Sequence, residues 1–227
     1  MLPEFKNPSL WRKHRHIDFD LYLFRATKNG ISRFLSHLEW LHALERTMRR
    51  ADFDLWYTKG FHPIPDISCL RPLPTGVASV AHYFTLRLKR REVDYSVPDL
   101  LRRFNECAPE GLRLLWGAKV FDTFRLEKFA QSWEFSLVIE DSERDQPLSL
   151  PDPFTVTRKK SVYMIEYRVN RDAWVDYRSV LESLYGTESP DRFYIPILKE
   201  VYVSIEKRFP VQWLFSDLED ARCQKKY

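Results

Sequence analysis

SHLEWLHALERTMRRAD, residues 36–52, carries the strongest helical pattern in the chain, and its reading sets the fold. Ser36 stands three residues before Glu39, the spacing of a capping box: the hydroxyl accepts the Glu39 amide while the carboxylate reaches back to the Ser36 amide. Leu35 and Trp40 flank that cap as a hydrophobic staple. Leu38, Leu41, Leu44 and Met48 recur at helical intervals and predict the buried stripe. At about 100° per residue, His42, Arg46, Arg49 and Arg50 fall on the opposite face. Glu45 sits at the edge of the stripe, where a carboxylate needs a partner, and Arg49 at i+4 is the candidate.

Outward from this helix, DFDLYLFRAT (18–27) alternates polar and apolar residues and predicts a half-buried strand. FDLWYT (53–58) predicts a second strand and HYFTLRLKRR (82–91) a third. SVPDLLRRFNECAP (96–109) predicts a second helix, capped near Ser96 or Asp99 with Leu100, Leu101, Phe104 and Cys107 inward, and GLRLLWGAKVF (111–121) a fourth strand. The order β-α-β-β-α-β is that of a ferredoxin-like split βαβ unit, with two helices on one face of an antiparallel sheet.

The second half repeats part of that order. WEFSLVIE (133–140) predicts a strand, FTVTRKKSVYMIEYRVN (154–170) a hairpin turning at Lys159–Lys160, AWVDYRSVLESLYG (173–186) a helix, and RFYIPILKEVYVSIE (192–206) a strand. VQWLFSDLEDARC (211–223) predicts a closing helix. The expected class is therefore α+β: a ferredoxin-like βαββαβ unit followed by a second, partial ferredoxin-like antiparallel sheet unit. The boundaries are a polar, basic extension over 1–17, a first domain over 18–125 and a second, divergent one over 126–227.

Composition narrows the function classes. The chain of 227 residues is 44% hydrophobic and 15% aromatic with seven Trp, suited to packed sheets rather than disorder. Net charge is +4, from 36 basic and 32 acidic residues, which permits a basic patch without demanding one. Cys69, Cys107 and Cys223 form no CxxC pair or cluster-binding run, so buried thiols in a reducing cytoplasm are expected, and no iron–sulfur, metal or other cofactor. No signal-peptide pattern and no membrane-spanning apolar run occurs. HExxH and Gly-rich phosphate loops are absent too.

The connector WYTKGFHPIPDIS (56–68) joins an aromatic stretch to a glycine and two prolines. Gly60 allows a φ above zero, and Pro63 and Pro65 stiffen the chain leading into the next strand. Lys59 and His62 add charge, and Tyr57 and Phe61 offer rings. In a split βαβ unit this connector lies close to the arginine face of the first helix. Arg46, Arg49, Arg50 and Lys59 then form a phosphate-contacting surface, with His62 beside it and Phe61 or Tyr57 stacking on bases. The alternative is a shaped connector in which Phe61 plugs the core.

Over residues 33–79 the chain resembles the radical-SAM-linked domain of unknown function, encoded beside or fused to a cobalamin-type radical SAM protein. The shared positions are Phe34, Ser36, His37, Ala43, Leu44, Glu45, Arg46, Arg49, Arg50, Gly60, Phe61, Pro63, Pro65, Ile67, Ser68, Pro72, Leu73, Pro74, Gly76 and Ser79. Asp66 departs from the pattern, where Lys is usual, as does His82, where Glu is common. The chain is more distantly similar to the ferredoxin-like RAMP proteins of CRISPR systems. The resemblance implies a radical SAM protein as partner. The leading expectation is a non-enzymatic accessory protein binding RNA or another anion. A metal-independent RAMP-like endoribonuclease using a histidine base, and a protein-docking module without nucleic acid, are the other readings.

Overall fold

The computed structural model describes residues 18–140, 150, 153–185, 194–203 and 210–215. These form a mixed α+β chain with one open eight-stranded sheet and four helices. The strands are β1 (Phe19–Lys28), β2 (Ile67–Cys69), β3 (Ala78–Lys89), β4 (Leu114–Val120), β5 (Ser132–Glu140), β6 (Thr155–Lys159), β7 (Val162–Asn170) and β8 (Tyr194–Tyr202). The helices are α1 (His37–Arg50), α2 (Val97–Cys107), the short α3 (Leu126–Phe129) and α4 (Tyr177–Tyr185). The basic extension over 1–17, Cys223 and the end of the expected closing helix lie outside the described residues; Val211–Phe215 is a 3-10 turn.

Strand order is β4-β1-β3-β8-β5-β7-β6, with β2 added to β3. Within the first half, β1 pairs antiparallel with both β3 and β4, and β2 antiparallel with β3. Within the second, β5 pairs antiparallel with β7 and β8, and β6 with β7. One parallel join links the halves: Ala78 opposite Ile197 and Ser79 opposite Leu198.

α1 begins as its sequence dictates. The Glu39 amide donates to Ser36 Oγ at 3.3 Å and the Ser36 amide to Glu39 Oε2 at 2.8 Å, so the capping box is complete. The helix ends without glycine. Asp52 takes the left-handed conformation at φ 55°, the Phe53 amide donates to the Met48 carbonyl at 3.0 Å, and the Asp52 amide to that of Arg49 at 3.2 Å. This is a Schellman closure in which Phe53 packs with Met48 in one core. The Arg103 side chain of α2 donates to the Ala51 and Asp52 carbonyls, both at 2.9 Å, and so ties the two helices together.

The buried stripe differs from the expected one. Trp40, Ala43, Leu44, Thr47 and Met48 face the sheet, whereas Leu38 is 66% exposed and Leu41 only half-buried. Trp40 sets the rotation, because its bulk fills the space over β1 and β3 that a leucine at 38 would leave open. Along β1, Tyr22, Phe24 and Ala26 meet α1 and α2, while Leu21 and Leu23 join a second core containing Trp133, Phe135, Leu137 and Leu198. β1 is thus buried on both faces rather than half-buried, since the second half covers the side the helices leave bare. Arg25 bridges the halves, with its guanidinium 2.9 Å from Glu200.

FDLWYT is not a regular strand: it makes two isolated bridges, Leu55 to Leu88 and Tyr57 to Pro65, and the ladder on β3 is taken up later by Ile67–Cys69. The closing turn of α1 and the Asp54–Arg91 ion pair spend these residues on anchoring. Elsewhere the expected elements stand within a few residues of their predicted ends, and the β6–β7 hairpin turns at left-handed Lys160.

Candidate functional site

The connector after α1 forms a small hairpin standing away from the sheet. Tyr57 bridges Pro65, the Thr58 amide donates to the Ile64 carbonyl at 2.9 Å, and the Ile64 amide to Thr58 Oγ1 at 3.2 Å. Its base is pinned from below, where the Trp56 amide donates to the Arg87 carbonyl at 3.0 Å and Asp66 forms an ion pair with Arg87. Asp66, the charge-reversed position of the motif, is thereby a structural anchor. Pro65 is buried at the base, while Lys59, Gly60, Phe61, His62 and Pro63 are exposed at the tip. Phe61 is fully exposed, so it does not plug the core, and Ile64 beside it is also exposed.

Gly60 behaves otherwise than expected. The positive-φ glycines among the described residues are Gly30, Gly76 and Gly111, and a Cβ built at Gly60 meets open space. Gly76, at φ 90°, serves the turn into β3, where its amide donates to the Arg33 carbonyl at 2.9 Å. Ser68 lies on β2, and its carbonyl accepts the Thr85 hydroxyl at 3.5 Å.

On α1, His42, Arg46, Arg49 and Arg50 are all exposed. Glu45 accepts two bonds from Arg49, at 3.0 and 2.7 Å, the expected i+4 pair. The same guanidinium lies over the Tyr57 ring, 5.4 Å from its centroid, so the helix face and the connector base adjoin. Arg50 donates within its own helix to Thr47 Oγ1 at 3.5 Å. Arg46 has no ion pair among the described residues. No hydrogen bond, ion pair or ring contact there joins Lys59, Phe61 or His62 to Arg46, Arg49 or Arg50, so the surface is two adjacent patches joined through Arg49 and Tyr57. His62 has no hydrogen-bonded acid or base beside it among the described residues.

A second constellation was not read from the sequence. Lys28 ends β1 on the face that carries Tyr22, Phe24 and Ala26, and is only 1% exposed. Ala26 is opposite His82 across the β1–β3 ladder, and His82 is 4% exposed. The His82 ring meets buried Trp40 edge-on at 4.2 Å between centroids. Both His82 Nε2 and Trp40 Nε1 are buried without a hydrogen-bond partner. Burial, aided by Lys28 and His37, lowers the His82 pKa to about 3. Burial also lowers those of Lys28 and His37, with Lys28 contributing to the latter. The signal available was a lysine in register with an apolar strand face.

Where the 69–79 loop meets the second half, a cleft of about 190 Å³ is lined by Arg71, Leu73, Phe135 and Trp174, with the Arg71 guanidinium 4.3 Å from the Trp174 ring centroid. Among the described residues no helix is long and apolar enough to cross a membrane.

Against known proteins, residues 22–208 match the profile of a family described as an uncharacterized protein conserved in bacteria (DUF2344). The chain belongs to that family. No curated protein matches it.

Proposed function

We propose that this family member is a non-enzymatic accessory protein that binds single-stranded RNA at the Phe61 tip and the adjoining α1 face. The observation that carries the reading is Phe61 itself: a fully exposed aromatic ring, held on a pinned hairpin between Lys59 and His62. A fully exposed phenyl ring leaves both faces open to a flat partner, and nucleic-acid bases stack on such rings without regard to sequence. Arg46, Arg50 and Lys59 are exposed cations within the same region and supply phosphate contacts. Arg49 contributes less, because Glu45 already neutralises it.

The strand orders β4-β1-β3-β2 and β8-β5-β7-β6 support reading each half as a ferredoxin-like unit, the second without its first helix, which divides the chain near residue 125. The partner that RNA binding would serve is a separately encoded radical SAM protein, in the cytoplasm. A second reading has its own support: Ile64 is exposed beside Phe61, and such an apolar pair also fits a pocket on a protein. Fluorescence anisotropy with labelled single-stranded RNA over a salt series separates the two. RNA binding predicts affinity that falls steeply with salt and weakens in Arg46→Ala/Arg50→Ala. Absence of binding at low salt, with nuclease-insensitive co-purification of a radical SAM protein, would replace RNA with protein docking.

A further inference from the structure

Lys28 is a lysine only 1% exposed, whose side chain makes no hydrogen bond or ion pair among the described residues. Buried charges are ordinarily paired, and an unpaired one is a defect unless something arrives to pair it. The groups gathered near it are cationic or can donate: His82 and Trp40 with their orphaned ring nitrogens, and His37, the first residue of α1. The positive end of the 14-residue helix α1 lies on the same side. With its ring proton on Nε2, His82 joins Trp40 Nε1 in holding a buried N–H that lacks an acceptor.

We propose that Lys28, His82, Trp40 and His37 form a binding site for a small oxyanion, a carboxylate or a phosphate. Lys28 supplies the counter-charge, and the His82 and Trp40 ring nitrogens donate to the oxygens. The site differs from the Phe61 surface in position and in character: its Lys28, Trp40 and His82 side chains, from β1, α1 and β3, are buried, which suits one compact anion rather than a polymer. Two motif segments far apart in sequence meet beside it, since the Gly76 amide donates to the Arg33 carbonyl at 2.9 Å and Lys28 pairs with Ser79 across the ladder. The Arg33 Nε, on the same segment, is also buried without a partner.

The test is NMR of the histidine ring carbons in the intact protein, titrated with inorganic phosphate or with acetate at ionic strength held constant with chloride. The site predicts a saturable shift of the His82 ring signal with at least one of these anions and none on exchange of chloride alone. Which anion acts assigns the source as phosphate or carboxylate. Lys28→Met and His82→Gln, each checked for a native spectrum, should weaken that binding at least about tenfold. A His82 signal unmoved by both anions in the wild type overturns the proposal, as does a Lys28→Met variant that responds like the wild type.

Discussion

The Arg49 guanidinium lies 5.4 Å from the centre of the Tyr57 ring while donating two hydrogen bonds to Glu45. One side chain thus fastens the end of α1 to the connector beyond it and is itself held by its own helix. Exposed pairs of this spacing contribute only about 0.3–0.5 kcal/mol. Glu45→Gln should therefore leave the melting temperature nearly unchanged while releasing Arg49 for phosphate. RNA affinity should rise, and the logarithmic salt slope should steepen by about 0.7 for the added contact. Anisotropy titrations at several salt concentrations check both.

Ser36→Ala removes the acceptor of the Glu39 amide and the hydroxyl beside the Glu39 carboxylate, whose pKa is held below the usual range by the Ser36 backbone amide, which alanine retains, and then by that hydroxyl. Loss of such a cap costs about 1 kcal/mol. Because the folded-state pKa is depressed, the Glu39 contribution is present above the ordinary carboxylate range and fades as the pH falls through the folded value. Urea denaturation of the variant at pH 7 and pH 4 should show a smaller difference from wild type at the lower pH.

His82 makes a stronger pH prediction. Its pKa is lowered to about 3, mainly by burial, so the unfolded chain takes up a proton that the folded one refuses. Stability is then complete above about pH 6.5 and declines as pH falls from there toward 3, by up to about 1.4 kcal/mol per pH unit. His82→Gln should remove this part of the acid sensitivity. Urea midpoints between pH 7.5 and 5, in chloride buffers free of phosphate and carboxylates, check it.

Gly111 carries a backbone demand that no other residue type meets. It sits at φ 81°, and an added Cβ would stand 2.0 Å from the Asn29 carbonyl oxygen. The Asn29 amide donates back to the Gly111 carbonyl at 2.9 Å. Gly111→Ala should destabilise the fold by at least about 2 kcal/mol, read from chemical denaturation.

Much of the architecture was legible in the sequence because its signals are local. Ser36 and Glu39 announce the cap, alternation marks β3 and β7, and the Glu45–Arg49 spacing foretells the pair. What was not legible depends on partners distant in sequence. Leu38 looks as apolar as Leu44, and only the fit of Trp40 against His82 and Phe84 decides which faces inward. β1 reads as half-buried until the second half covers its Leu21 and Leu23 side. FDLWYT has strand composition, yet the left-handed turn at Asp52 and the anchoring of Asp54 divert it. The candidate surface was legible as a set of residues but not as an arrangement. Exposure of Phe61 and the seating of Arg49 over Tyr57 emerge from packing, and the Lys28–His82 cluster from strand register.

The central claim is that Phe61 is a stacking platform for RNA bases, and Phe61→Ala tests it most directly. The ring touches no core, so the variant should melt within about 0.5 kcal/mol of wild type. Losing one stacked base costs about 1–3 kcal/mol, so anisotropy should show binding to single-stranded RNA weakened about 5- to 150-fold. Equal affinity of Phe61→Ala and wild type for RNA, in the same low-salt buffer, would contradict the account.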